Sequence, residues 1–148
     1  MVTVAMLIAR NQPDDLKHYI DIALDNEVTP AELSEIITHL AFYSGWPNAM
    51  SAVSVTKAVF ESRGVKADAL PEASPDLLPL NQEAKNQRSE TVEKNVGPIS
   101  PGLVKFTADP LFLDLWQRPA LKPRDRSLIT ISALIASGLS AQDWLSPQ

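Results

Sequence analysis

In the segment ELSEIITHLAFY, Glu35, His39 and Tyr43 recur at intervals of four. On a helix that spacing stacks a carboxylate, an imidazole and a phenol along one side. A carboxylate can orient and charge an imidazole, which gives an acid or base near neutral pH. The same spacing also fits an intrahelical pair at a subunit interface. Arg124 and Arg126, with Lys122 beside them, form the best candidate for binding an anion. A guanidinium grips a carboxylate through two parallel N–H bonds. Both arginines fall in the first turns of a helix, where a cation opposes the helix dipole, so solvent exposure or an interface ion pair fits them equally. The other histidine, His18, precedes Tyr19 on a separate helical stretch.

Composition limits the chemistry. The chain has 148 residues and contains no cysteine, which removes thiolate nucleophiles, disulfides and thiol peroxidase chemistry together. No phosphate loop, dinucleotide fingerprint or metal-ligand cluster occurs, so no cofactor is expected. A net charge of -5 provides no basic block to displace counterions from phosphates, which argues against nucleic acid and anionic membranes as partners. The first residues lack a basic region and a small-residue cleavage site, so the expected location is the cytoplasm.

The patterns that must position these residues are helical almost throughout. Residues 2–11 read as a buried helix closed at Gln12-Pro13. A second helix starts at Asp14 or Asp15, with Leu16, Ile20, Ala23 and Leu24 as its stripe. Thr29-Pro30-Ala31-Glu32 combines an N-cap, a proline at the first helical position and a glutamate at the third, which announces the helix bearing Glu35 and His39. Its stripe is Leu33, Ile36, Ile37, Leu40 and Ala41. A fourth helix follows Gly45, with Val53, Thr56, Val59 and Phe60 inward and Gly64 as its stop. Residues 65–97 hold no aromatic residue and turn polar, so they read as a partly disordered linker with a short helix near 81–94. Order resumes at Pro98 with two short helices broken at Asp109-Pro110, and a long helix follows from Lys122 to Gly138. Trp46 and Trp116 read as core or interface anchors.

The eight residues VTVAMLIA, at 2–9, return as ITISALIA at 129–136, with Thr, Leu, Ile and Ala identical. Around these copies the wording becomes specific. TPAELSEIITHLAFYSGWPNAMSAV resembles the back half of a carboxymuconolactone decarboxylase family domain, and FLDLWQRPALKPRDRSLITISALIASG resembles its front half. The family also includes proteins like alkyl hydroperoxidase D. The resemblance implies a compact all-α fold assembled from two half-domains. These are residues 1–64, the back of a first domain, and 98–148, the front of a second, joined by the linker at 65–97. The chain then reads as a tandem protein without its outer ends, whose halves complete each other within or between chains. A homo-oligomer is expected, a trimer or hexamer of domains or an assembly of exchanged halves.

The resemblance further implies a carboxy-lyase acting without cofactor on a small carboxylated lactone of the 4-carboxymuconolactone type, in aromatic-acid breakdown. Arg124 and Arg126 would hold the substrate carboxylates, beside Tyr43 and Trp46. His39, next to Glu35, would protonate the enolate together with Tyr19 or His18. An ungapped alignment puts Tyr19 where many family members carry histidine, with His18 one place earlier. Glu27 stands where the family has a glycine. The alternative is a catalytically silent oligomeric helical domain with a binding or assembly role.

Overall fold

The structure is a computed structural model that describes residues 1–139. The part of the expected second half-domain at 140–148 lies outside the described residues. Seven α-helices and three short helical turns account for the regular structure, and no strand occurs among the described residues. The all-α class anticipated from the helical periodicity is therefore what the chain adopts.

The helices are α1 (Val2–Ala9), α2 (Pro13–Asp25), α3 (Pro30–Tyr43), α4 (Trp46–Arg63), α5 (Gln82–Val96), α6 (Pro101–Phe106) and α7 (Pro123–Ala136). Local chemistry sets their ends. At the start of α3 the Thr29 hydroxyl accepts from the Glu32 backbone N–H at 3.1 Å, and the Glu32 carboxylate accepts from the Thr29 N–H at 2.8 Å. Two orphaned donors of the first turn are thereby satisfied, which is why the helix begins where it does. Gly64 ends α4 in the left-handed region, with φ 66°.

The chain forms two compact units. One comprises Met1–Ser74 together with, among the described residues, 120–139, so it joins stretches far apart in sequence. Its core is built from Val4, Ala5 and Ile8 of α1, Leu16 and Ile20 of α2, Leu33, Ile36 and Leu40 of α3, Ala52 and Val59 of α4, and Ile129 and Ala133 of α7. The copies of the repeated octapeptide, α1 and α7, lie side by side in this unit. Arg10 extends their contact by donating to the Ala136 carbonyl at 3.3 Å. At the far end of α4, Arg63 bonds the carboxylates of Asp21 and Asp25 on α2 at 2.7 and 2.9 Å.

The second unit covers Pro75–Pro119. Here α5 packs on α6, and the chain then runs through a wide turn at Thr107–Phe112 and a short turn at Leu115–Gln117. Asp109, ahead of Pro110, has φ -137° and ψ 112°, the extended backbone that a following proline favours. Phe112 stacks on Trp116, and the Arg88 guanidinium lies 3.9 Å from the centre of the Phe112 ring.

On α4 the sequence expectation needs correcting. Val53 is exposed, and the buried positions are Ala49, Ala52, Thr56 and Val59. The helix is rotated so that small residues face the neighbouring helices, which allows close approach and turns larger side chains outward.

Glu27 ends the α2 turn with φ 67°. A side chain at Cβ disfavours this conformation by roughly 1–2 kcal/mol, a penalty glycine escapes. Against that gain, glycine loses more freedom on folding. Glu27→Gly is expected to raise stability by roughly 0.5–1 kcal/mol in urea denaturation. An unchanged or lower midpoint would contradict this account of the turn.

Candidate functional site

Two helices far apart in sequence supply the cluster. Glu35, His39 and Tyr43 project from successive turns of α3, and Arg126 and Thr130 from successive turns of α7. Glu35, His39 and Arg126 are fully buried. Arg126 donates through Nη2 to the Glu35 carboxylate Oε2 at 2.7 Å, and its Nη1 lies 3.2 Å from His39 Nδ1. His39 Nε2 is 2.7 Å from the Thr130 hydroxyl, which in turn lies 2.7 Å from the Arg126 carbonyl. Tyr43 stacks against the imidazole with ring centres 5.0 Å apart.

These partners fix the imidazole's tautomer by elimination. A guanidinium has only donors, so Nδ1 must accept and the ring proton must sit on Nε2. That N–H donates to Thr130 Oγ1, and the Thr130 hydroxyl proton goes to the Arg126 carbonyl. The result is a closed circuit from the Arg126 side chain back to the Arg126 backbone. A second proton on His39 would have to displace the guanidinium from Nδ1. Burial, reinforced by the Arg126 charge, lowers the His39 pKa to about 3. The imidazole is consequently neutral at physiological pH.

Of the residues singled out from sequence, Glu35, His39, Tyr43 and Arg126 come together. The others are at the surface: Arg124 is exposed on α7, and His18 and Tyr19 are exposed on α2, where their rings meet edge-on at 5.4 Å. Trp46 is also exposed, against Phe42. Thr130 was not singled out, because it lies inside the repeated apolar octapeptide. The available signal was its spacing from Arg126: a threonine four residues on can donate to that residue's carbonyl. Among the described residues, no group of three or more His, Cys, Asp or Glu side chains is arranged to hold a metal ion.

The unit that holds this cluster is all-helical among its described residues. Residues 1–58 match the profile of the carboxymuconolactone decarboxylase family. Similarity extends to a 4-carboxymuconolactone decarboxylase from Acinetobacter baylyi, 34% identical over 65 residues, which are 44% of this chain and 48% of that protein. The chain thus spans about half the length of this curated relative. The likeness to the carboxymuconolactone decarboxylase family rests on the first 58 residues and on this partial match.

The depressed His39 pKa has a consequence for stability. The unfolded chain takes up a proton on this residue near pH 6.5 and the folded chain only near pH 3. The contribution is fully present above the unfolded value and is lost as pH falls towards the folded one, by up to about 1.4 kcal/mol per pH unit for one proton. Urea denaturation from about pH 7 to pH 4 is expected to show this slope in the native protein and a flatter one in His39→Gln. Parallel profiles for the two proteins would remove His39 as the source.

Proposed function

We propose that this chain belongs to a protein that removes carbon dioxide from a small carboxylated lactone of the 4-carboxymuconolactone type without a cofactor. The observation that supports this reading is the convergence of Glu35, His39 and Arg126 in one cluster, within a chain whose relative bears that activity in its name. In the reaction the carbon–carboxylate bond breaks, its electron pair passes into the lactone as an enolate, carbon dioxide leaves, and a proton is added to carbon. Arg126 and the exposed Arg124 are the guanidiniums for the substrate carboxylates, with Tyr43 and Trp46 nearby in sequence on the α3–α4 corner. Neutral His39 polarises rather than exchanges protons, because its Nδ1 lone pair is already engaged by Arg126. His18 and Tyr19, both in contact with solvent, are left as donors to the enolate.

A second reading has an observation of its own. Glu35, His39 and Arg126 are sealed from water and bonded to one another, as in a cluster that holds two helices together. In that reading the chain is a catalytically silent helical domain that serves binding or assembly.

Turnover of 4-carboxymuconolactone, followed by release of carbon dioxide, separates the two. The decarboxylase reading expects turnover, a loss of roughly 100-fold in kcat/KM for Arg126→Ala, and a loss of roughly tenfold for Arg124→Ala. Because Arg124 is exposed, its variant should keep the native melting temperature, so lost activity there cannot be put down to unfolding. If the native protein gives neither turnover nor a thermal shift with the lactone, the silent reading stands.

A further inference from the structure

Helix α5 does not fill the space that it faces. Of its 15 residues only Ala84, Val92 and Val96 are apolar. Lys85, Arg88 and Val92 follow one another at spacings of three and four, which puts them on one side of the helix, and all three are half-buried. Across from them stand Val104 of α6 and, at the end of the wide turn, Phe112 and Leu113, also half-buried. Between these two walls lies a cavity of about 520 Å³. Leucine or phenylalanine at 85 and 89 would close it, whereas Lys85 and Ser89 leave it open. Its size and its apolar walls with a few polar groups are those of a small-molecule pocket. One wall is fixed in advance: the Phe112 ring stacks on Trp116 with centres 6.0 Å apart and has the Arg88 guanidinium 3.9 Å from its centre.

We infer that this cavity binds a small amphipathic monoanion, a hydrocarbon body ending in one carboxylate, with its head at Lys85 and its body against Val104, Phe112 and Leu113. Charge sets the orientation. Lys85 and Arg88 lie in the first two turns of α5, where a cation opposes the helix dipole and an incoming anion is favoured by both. Among the described residues the Lys85 side chain has no ion-pair partner, so its charge is available to the ligand. The carboxylates that also border the cavity, Glu90 and Glu93, are exposed and come later on the helix. Glu93 Oε1 lies 2.9 Å from the position that a Cβ on Gly97 would take, so this carboxylate is turned towards the C-terminal end of α5. Lys85 and Glu93 are thus separated by about 12 Å along the axis, and the two ends of the cavity differ in sign. A second anionic group on the ligand would meet Glu93, which restricts the site to a single negative charge. The cavity is lined wholly from Pro75–Pro119, the unit that contains none of Glu35, His39 and Arg126, so the inference is independent of both readings of function.

Calorimetric titration of the full chain with decanoate, kept below the concentration at which it forms micelles, tests this. Saturable one-to-one binding is expected, weaker by about tenfold for decanedioate and for decyltrimethylammonium, which pair the same chain length with a second negative charge or a positive one. Lys85→Gln should weaken decanoate by about tenfold and leave the affinity for neutral decanol unchanged. Ser89→Leu extends a side chain into the cavity from an exposed position and exchanges serine for a better helix former, so it should abolish binding while helical circular dichroism is kept. Val104→Trp should do the same from the opposite wall. The inference is overturned if decanoate gives no saturable heat, or if decyltrimethylammonium binds as tightly. Decanoate binding that survives both Lys85→Gln and Ser89→Leu also overturns it, because the anion would then sit elsewhere on the chain.

Discussion

A guanidinium that water cannot reach has to be met by protein acceptors, and the core of Met1–Ser74 with α7 is organised around that requirement. Arg126 is as buried as the isoleucines beside it. Removing such a group from water costs several kcal/mol, which is recovered only when a carboxylate and further acceptors stand at close range. Glu35 supplies the charge and His39 Nδ1 the second acceptor, from adjacent turns of one helix. Their spacing fixes where Arg126 sits, and Arg126 fixes the axial position of α7. A purely apolar seam between α3 and α7 could slide by a turn at modest cost. This one cannot, because a slip would strand a carboxylate and a guanidinium in the interior.

The repeated octapeptide shows how far such constraints outweigh the residue string. Aligned copy to copy, Val2 and Ile129 correspond, as do Ile8 and Ile135. Yet Ile129 and Ile8 are buried while Val2 and Ile135 are exposed. Thr3 is exposed, whereas its counterpart Thr130 closes the hydrogen-bond circuit. Arg126, one turn before Thr130, commits α7 to the face that meets α3. In α1 the buried residues are Val4, Ala5 and Ile8 instead. Similar sequences thus pack with different faces in one unit, side by side.

Much of this was legible before any coordinates. The capping box at Thr29 and Glu32, the stop at Gly64, and the stripes of α2 and α3 are local signals, and local signals fix helix limits. The stacking of Glu35, His39 and Tyr43 followed from periodicity alone. Sequence could not reveal which charged group would face the imidazole, since that partner comes from another helix 87 residues away. A carboxylate near His39 suggested a charged ring, but burial, reinforced by the guanidinium at Nδ1, makes it a neutral one. Similarly, Val53 and Ala52 are adjacent candidates for the inner face of α4. The tighter packing allowed by alanine decided between them, and periodicity is blind to that choice.

The same ion pair constrains any chemistry at Arg126. A substrate carboxylate that took the place of Glu35 on this guanidinium would leave an ionised Glu35 in the core without its partner, disfavoured by several kcal/mol. The way out is protonation, so under the decarboxylation reading an anion that binds at Arg126 arrives together with about one proton. An anion bound at exposed Arg124 displaces no buried carboxylate and carries none. Calorimetry of a small carboxylate probe in two buffers of different ionisation enthalpy distinguishes these cases: heat that changes with buffer places the anion at Arg126, and buffer-independent heat excludes that site.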